Sequence, residues 1–458
     1  MLLAKSTLLK LNYCLRIFIV LGSFALPLSL LAQYNSPYSR YGLGDMVPMS
    51  NITSRGMGGI SAGYADRVSV NFMNPASYAR FFAVKQRTSS KLEHGRVVFD
   101  AGVNVESRRL IAPNTPESFT STDAAFNYIQ VGIPLRRNWG LSFGIRPLSR
   151  IGYKINRYER LNDPVTGFPI DSVVTQFNGS GGSYLPTIGT GVGIGNFSIG
   201  VNAGYLFGNR ETNTRRIFLN DTVSYFASEH NNVYSFGGMF YNAGIQYQFS
   251  LKNNVNVRLG VAGNWKQNIN GSNDRLVQTY VSGAAGESLQ IDSVYGQNDI
   301  QGELVYPTNY TAGFVIDKQN KNKSGWLFGL DYTKGKWSDF RFFGSKDSVQ
   351  DNYRLSAGGQ LYPKPGTTFF SQVSYRFGFY MGKDYINVDN EMPVMGASFG
   401  MALPVRFSRM APNQINFVNL SLEYQKRGND DNRLKENMFR LSLGLNFTDL
   451  WFQKRRYD

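Results

Sequence analysis

The side chains that most often carry catalysis or hold metals are scarce in this chain. His94 and His230 are its only histidines, and its single cysteine is Cys14. A zinc site or a serine–histidine hydrolase needs several such groups close together in the fold. Carboxylates alone could support acid–base chemistry, but no pairing of them in the sequence indicates it. The sequence therefore predicts a protein that is not an enzyme and has no cofactor and no metal site.

The amino terminus has the pattern of a secretory signal. Basic residues precede an apolar run over 17–31, and Ala32 offers a small residue for cleavage. We therefore assign 1–32 to a signal peptide rather than to a single membrane anchor, because the apolar run is short and contains Pro27. Cys14 falls within that signal, so we expect the mature chain to have no cysteine.

Behind the signal, apolar and polar residues alternate in runs of about ten residues, the length of a membrane-crossing strand. In the last run, Phe439 and Leu441 share one face while Arg440 and Ser442 share the other, because successive side chains on a strand point to opposite sides. Fourteen segments fit this pattern: 97–110, 123–136, 139–153, 181–195, 196–213, 232–251, 255–268, 307–318, 324–337, 351–362, 367–380, 393–407, 414–426 and 437–448.

The connections between these segments alternate between short and long, and the longest covers 269–306. Such alternation, with an even strand number, is typical of outer-membrane barrels, whose short turns face the periplasm. The predicted fold is all-β: a 14-stranded antiparallel transmembrane β-barrel over 96–448, followed by a periplasmic tail over 449–458. The short connections fall at 137–138, 195–196, 252–254, 319–323, 363–366 and 408–413.

The alternation also assigns side chains to the two faces of the barrel wall. Phe197 and Ile199 would face lipid, and Ser198, Gly200 and Asn202 would face the lumen. We therefore expect a spacious lumen of small and polar residues without an apolar pocket. The formal net charge of +16 does not by itself distinguish a nucleic-acid partner from anionic lipid. For an outer-membrane protein we expect contact with lipid and the phosphates of lipopolysaccharide, and no nucleic acid.

A barrel of this size has a wide interior, since barrels of sixteen strands leave an aqueous channel. Residues 33–95 precede the first strand and are predicted to form a hatch that fills this space. Within them, Asn74 is placed to cap a short helix, with Pro75 at its first position and Ala76 next. Proline is favourable there because its missing N–H would have no partner in any case.

The glycine-rich stretch 55–59, Asp66 and then Asn74-Pro75-Ala76 stand in this order before the first strand. They resemble the N-terminal hatch of the FadL-like long-chain fatty-acid outer-membrane transporter family, whose members are 14-stranded barrels plugged by an N-terminal domain. The opening stretch 36–45 is similar to outer-membrane proteins of Bacteroidota. The resemblance implies a plugged barrel of the bacterial outer membrane.

Later motifs match the same family in order. Trp139-Gly140 with Pro147 and Gly152 resembles that family's third strand, where an irregularity opens the wall sideways, and Trp337-Ser338 resembles the end of a late strand. Proline removes a ladder hydrogen bond and belongs at sheet edges or bulges. Pro147 and Gly152 thus predict a strand break with a lateral opening, unless the strand simply ends near Arg146.

Two functions follow from this pattern. The first is uptake of hydrophobic or amphipathic small molecules through a plugged lumen or a lateral opening, as the resemblance implies. The alternative is an accessory subunit of an outer-membrane secretion or assembly complex, similar to FadL-like barrels that hand over type IX secretion cargo. The polar lumen, the strong positive charge and the long external loops favour outer-membrane protein partners. The family resemblance, with Asn74-Pro75-Ala76 and Pro147, nevertheless places uptake first.

Overall fold

Fourteen strands close into a ring. The computed structural model describes residues 36–85, 92–113, 117–162, 165–167, 169–219, 226–282, 288–318, 324–364, 366–405 and 416–451. The predicted signal peptide, most of the predicted tail and the turns at 319–323 and 408–413 lie outside these residues.

The strands of the described residues are β1 Asp45–Met46, β2 Ala83–Lys85, β3 Leu92–Ile111, β4 Ser118–Arg136, β5 Trp139–Asn162, β6 Pro169–Ile194, β7 Phe197–Phe218, β8 Ala227–Leu251, β9 Val255–Asn264, β10 Gln267–Ser282, β11 Ser288–Tyr306, β12 Asn309–Lys318, β13 Gly325–Gly335, β14 Arg341–Phe342, β15 Asn352–Tyr362, β16 Ser374–Val388, β17 Asn390–Val405, β18 Asn416–Arg427 and β19 Lys435–Trp451.

The ring runs antiparallel through β3–β9, β12, β13 and β15–β19. It closes where β19 pairs with β3, from Lys435 opposite Ile111 to Trp451 opposite Gly95. Each of the fourteen predicted segments overlaps one of these strands in the predicted order. The predicted 14-stranded antiparallel barrel is therefore confirmed.

The predicted alternation of faces is also confirmed. On β7, Phe197 and Ile199 are exposed, whereas Ser198 and Asn202 are buried. On β18, Glu423 is buried among the inward-facing residues. The ring therefore carries apolar side chains outside and polar side chains inside.

The prediction of a long loop over 269–306 was wrong, because β10 and β11 form a hairpin there. β8 continues past the point where β9 ends at Asn264, and β10 pairs with that free stretch of β8. An unpaired strand edge favours the addition of a further strand. The base of the hairpin is buried at Ile269, Leu304 and Tyr306, whereas residues 290–299 of β11 are exposed. Because its upper part buries neither face, β11 lacks the period-two pattern that marks the other strands.

Several predicted segment ends were also wrong. β5 continues to Asn162, β6 begins at Pro169 and β16 continues to Val388, well beyond the predicted ends at 153, 181 and 380. The segment 255–268 stops at Asn264, and the segment 324–337 stops at Gly335. The segment 367–380 becomes a strand only at Ser374, after a short 3-10 helix. In the segment 324–337, Trp337 leaves the strand to enter the core, where it is 2% exposed.

The ring is taller on one side. Strands β5–β8 have 22 to 26 residues, whereas β12, β13 and β15 have 10 or 11. The extra length lies at the end of the long connections, which we call the long-loop end; the opposite end is the short-turn end. The taller side therefore projects as a sheet beyond the rest of the ring.

Helices are short. They comprise α1 (Ile52–Arg55) and the 3-10 helices Pro37–Arg40, Pro75–Arg80, Lys252–Asn254, Trp337–Asp339 and Phe369–Gln372. Within the described residues, no helix has the length and apolar character needed to cross a membrane.

Residues 36–81 lie inside the ring, and most of them are buried. We call them the inner segment. At the long-loop end, Tyr38 of this segment joins Leu148, Phe240 and Trp337 in one large apolar cluster. The expectation of a spacious polar lumen without an apolar pocket was therefore wrong, because the inner segment and this cluster fill the space.

Candidate functional site: the inner segment and the β4–β5 seam

The Asn74-Pro75-Ala76 motif begins a 3-10 helix inside the ring. The Asn74 side chain accepts a hydrogen bond from the Ala76 N–H, and Pro75 takes the first helical position. The other end of the Asn74 amide donates to the Ala62 carbonyl at 2.7 Å. Asn74 thus links the helix start to the preceding turn of the inner segment.

This helix rests on a row of glycines on the inner wall. Gly140, Gly191, Gly200 and Gly244 are paired in succession across β5, β6, β7 and β8. A Cβ on any of them would overlap the inner segment between Asn74 and Tyr78. The absence of side chains along this row lets two backbones come into contact.

A second glycine row receives the stretch before it. Gly329, Gly358 and Gly378 are paired across β13, β15 and β16. Cβ atoms there would overlap residues 57–60 of the inner segment. Much of the glycine content of these strands is therefore explained by close approach to the inner segment.

Buried carboxylates of the wall bind backbone amides of the inner segment. The carboxylate of Asp331 accepts N–H groups of Ser61 and Ala62 at 2.6 and 2.8 Å. Asp100 accepts the Val70 N–H at 3.0 Å and the Tyr128 hydroxyl at 2.9 Å. Each carboxylate satisfies donors that would otherwise be buried without a partner.

An ion-pair network joins β1 to the wall. Asp45 contacts Arg108 of β3 at 2.5 Å and Arg427 of β18 at 3.2 Å, and both arginines also bind Glu436. Burial alone would raise the pKa of Asp45, but the two guanidinium groups lower it below its ordinary value. Asp45 is therefore ionised within the ring, held between two cations.

A second set of ion pairs continues along the wall. Arg440 contacts Glu106 at 2.7 Å and Glu423 at 2.8 Å, and all three side chains are buried. Buried charges of this kind persist where geometry and hydrogen bonds compensate for lost hydration.

Trp337 and Ser338 have different surroundings. The Trp337 ring lies 4.2 Å from that of Tyr385 and 5.9 Å from that of Tyr306, within the apolar cluster. Ser338 is exposed, and its N–H donates to Asp351 at 2.9 Å. Burial would raise the pKa of Asp351, but the hydrogen bonds from Ser338 lower it. The pair thus closes a turn above the core.

Pro147 lies where β5 separates from β4. The β4–β5 ladder ends at Ile129 opposite Ile145, although β4 starts at Ser118 and β5 continues to Asn162. On its other side, β5 has a register shift between Pro147 and Ser149. We call the region where 118–128 of β4 and 146–162 of β5 do not pair with each other the seam.

The inner segment occupies the lower part of the seam. β1 pairs with Ser149 and Arg150 of β5, and the Ser36 N–H donates to the Gly152 carbonyl at 3.3 Å. Arg150 crosses to β4, where it contacts Asp123 at 3.6 Å and the Phe126 carbonyl at 3.0 Å. Strand β5 therefore does not end near Arg146, and its role in a lateral opening stays a prediction.

A cavity of about 280 Å³ remains between the inner segment and the wall. Its lining combines charged groups, including Arg55 and Arg354, with apolar groups such as Leu148, Phe240 and Trp337. Among the described residues, no three or more His, Cys, Asp or Glu side chains form a group able to hold a metal ion. The cavity thus offers both charged and apolar contacts.

The residues singled out from the sequence do not form one site. Gly152 binds the start of the inner segment, and Trp337 lies in the apolar cluster that includes Leu148. Asn74, Pro75 and Ala76 instead lie on the glycine row nearer the short-turn end. Sequence reasoning missed Asp45, Arg108, Arg427 and Asp331; a signal was available in charged residues at inward-facing strand positions.

A family model described as BamG matches residues 14–458. None of the curated proteins matches the chain. Among solved structures, the chain is similar to the CymD monoaromatic hydrocarbon channel, at 15% identity and a TM-score of 0.51, covering 89% of this chain and 99% of that one. It is also similar to the toluene transporter TodX of P. putida, at 12% identity and a TM-score of 0.50, with the same coverage. These likenesses concern the fold.

Proposed function

The chain belongs to the BamG family, and from that premise we propose that it is a plugged outer-membrane barrel acting as a subunit of an outer-membrane assembly or secretion complex. The observation that carries the proposal is the polar fit between the inner segment and the wall. A path for hydrophobic molecules needs apolar walls, because buried polar groups without partners cost free energy. Here amide–carboxylate bonds and ion pairs join the two surfaces, which supports a closed ring.

The exterior of the ring supports a place in the bacterial outer membrane. Exposed apolar side chains alternate with buried polar ones, and Trp139, Trp326 and Trp451 are exposed towards the short-turn end. Tryptophan is enriched at the level of lipid head groups. In this placement the short turns face the periplasm, and phospholipid and lipopolysaccharide surround the wall. The similarity of residues 36–45 to outer-membrane proteins of Bacteroidota supports a source in that phylum.

Purification in mild detergent from native membranes tests the subunit role. We expect outer-membrane proteins to co-purify with the barrel in fixed stoichiometry by quantitative mass spectrometry, and the ring to carry no lipid-like molecule. A barrel that purifies alone with a small hydrophobic molecule in its interior would contradict the proposal.

Conductance tests whether the inner segment closes the ring. Deletion of residues 36–80 should raise conductance in planar bilayers, since the interior is then open to water. The intact protein should conduct little. Equal conductance of the two proteins would show that the inner segment is not a plug.

A second function, uptake of hydrophobic small molecules, is favoured by one observation. The seam begins beside an apolar depression of about 520 Å³ on the outside of the ring, lined by Ile129, Phe143, Pro186 and Met239. CymD and TodX, which share the fold, are described as a hydrocarbon channel and a toluene transporter. Toluene uptake by liposomes containing the intact protein, above that of empty liposomes, would support this function; equal uptake would exclude it.

A further inference from the structure

The inner segment presents a cation to solvent. Within residues 36–81, all of which the structure describes, Arg67 alone is exposed. Asp66 orders the turn that presents it, because one carboxylate oxygen accepts the N–H groups of Arg67 and Val68 at 2.6 and 3.3 Å. The other oxygen accepts two hydroxyl groups of the same turn at 3.1 Å. The charge of Asp66 is therefore used within the turn, and the Arg67 guanidinium is left for contacts outside it.

Arg258 places this turn at the short-turn end of the ring. It lies on β9, four residues after the turn Lys252–Asn254. Its guanidinium donates to the carbonyl groups of Gly63 and Ala65 at 3.4 and 3.5 Å. Arg67 thus lies inside the ring at its short-turn end, with the wall around it.

Arg80, a second cation of the inner segment, lies at the same end. It ends the 3-10 helix Pro75–Arg80, and the chain then enters β2, which pairs with the start of β3. Burial and the nearby charge of Arg67 lower the pKa of Arg80 below its ordinary value, so the two like charges lie close together. The Nε of Arg80 is buried without a hydrogen-bond partner. An anionic group between the two arginines would stabilise both.

Turns and strand ends of the wall surround these arginines with further cations. The exposed basic residues there are Arg136, Arg137, Lys252 and Lys364. In the described part of the chain, neither these four nor Arg67 has an ion-pair partner. We call the surface formed by Arg67 and Arg80, with these four cations around them, the basic mouth.

Nearby carboxylates do not offset this charge. Asp317 is 8% exposed and lies 3.5 Å from the Asn256 amide. Asp449 shares the outer face of β19 with Trp451, since the two are two residues apart on a strand. The field at the mouth is therefore positive, and such a field attracts and orients an acidic partner.

The position of Arg67 distinguishes between two acidic partners. Anionic lipid head groups in the surrounding membrane can contact the turns of the wall. They cannot contact Arg67, because the wall separates the inner segment from the membrane. A protein segment that enters from the aqueous side can contact the centre and the rim of the basic mouth together.

We propose that the basic mouth binds an acidic segment of a periplasmic partner protein. The inference rests on the proposed subunit role, in which the short-turn end faces the periplasm, and it names the chemistry of the partner. A second copy of this chain is a poor occupant, because its own basic mouth faces the same side of the membrane.

Two fluorescent peptides test the proposal on the full-length protein in a neutral detergent. Each is about ten residues long and spans about 33 Å when extended; one alternates glutamate with glycine, and the other alternates lysine with glycine. We expect the glutamate peptide to bind by fluorescence anisotropy and the lysine peptide not to bind. Raising the salt from about 0.05 to about 0.5 M should weaken binding at least about tenfold, because salt screens exposed charges. Equal binding of both peptides would overturn the proposal.

Charge reversal locates the site. Arg67→Glu with Arg137→Glu should weaken binding of the glutamate peptide at least about tenfold. The control Arg157→Glu with Arg160→Glu changes the net charge equally, at exposed positions of β5 towards the long-loop end, and should leave affinity unchanged. All four side chains are exposed, so both variants should keep the fold. An equal loss of affinity in both would show a general charge effect and would contradict a site in the basic mouth.

A photoreactive residue gives a readout that does not depend on affinity. Placed at Val68, beside Arg67, it should cross-link to the glutamate peptide; placed at Phe377, which is 49% exposed on the outer wall of β16, it should not. In vesicles that contain phosphatidylglycerol, the residue at Phe377 should form lipid adducts and the residue at Val68 should form none. Lipid adducts at Val68 would overturn the proposal, because the mouth would then be open to the membrane.

Failure of this inference can be told apart from failure of the subunit role. Absence of peptide binding while outer-membrane proteins still co-purify would refute the basic mouth as a docking surface and leave the subunit role standing. Peptide binding by a barrel that purifies without partners would refute the subunit role instead.

Discussion

A Cβ on Gly200 would overlap the carbonyl group of Pro75. The wall and the inner segment are therefore in backbone contact at this point, and any side chain at Gly200 separates them. The same holds for Gly191, whereas a Cβ on Gly244 would overlap the Asn74 side chain. The position of the inner segment is thus determined by missing side chains as well as by hydrogen bonds.

Gly191→Ala should loosen the inner segment. The new methyl group would overlap the Pro75 carbonyl, and overpacking of this kind costs about 1–3 kcal/mol. Hydrogen exchange of residues 74–80 should become faster. Gly193→Ala on the same strand is the control, because its Cβ would lie 3.4 Å or more from its neighbours; equal exchange in both variants would contradict the fit.

Asp331→Ala should free the turn at Ser61 and Ala62. Both N–H groups lose their acceptor, and a buried donor left unpaired costs about 1–3 kcal/mol. We expect faster exchange of these two amides in the otherwise intact barrel. Asp292→Ala, at an exposed position of β11, should leave them unchanged. Protection that survives Asp331→Ala would show that the carboxylate does not hold this turn.

Asp45→Asn should destabilise the protein at neutral pH and make less difference in acid. Removing one partner of a buried ion pair costs about 3–5 kcal/mol. The pKa of Asp45 is lowered in the folded state, so its contribution is present above the unfolded pKa of about 3.9. That contribution is lost as the pH falls through the lower, folded pKa.

Melting temperatures between pH 7 and pH 2 measure this effect. The difference between wild type and Asp45→Asn should be constant above pH 5 and shrink below pH 4. Asp430→Asn is the control, because its pair with Lys435 is exposed. A difference that grows as the pH falls would mean that Asp45 is protonated in the folded protein.

Trp337→Ala should lower stability by about 3–5 kcal/mol, the usual cost of deleting a large buried aromatic side chain. Its ring packs against Tyr385 and Tyr306, and the vacated space cannot be filled by the strands around it. The midpoint of urea unfolding measures the loss. Trp326→Ala, at a 40% exposed position, should shift the midpoint much less.

The ring was predictable because its strands bury one face. Along β7 and β18, one face needs apolar groups and the other needs small or polar ones, and this leaves a period of two in the sequence. Asn74 and Pro75 were predictable as a helix start for a local reason, the capping geometry. Such signals lie within a few neighbouring residues.

The contacts of the inner segment were not predictable in this way. Asp45 meets Arg427 and Asp331 meets Ser61 only after the ring has closed, so no local pattern records these pairs. The glycine rows depend on register between strands, which a single strand does not reveal. The β10–β11 hairpin was missed because it adds to the free edge of β8 and most of β11 is exposed, so that only the base of the hairpin is apolar on one face.

The order of the chain has a consequence for biogenesis. The inner segment precedes β3 in the chain, with β2 and residues 86–91 between them, and β3 is the strand that pairs with β19 to close the ring. The inner segment is therefore already attached next to the strand where the ring closes, and it does not have to be threaded into a finished ring. We expect that, when β3 and β19 pair, the wall closes around the inner segment, which has been synthesised before the strands of the ring.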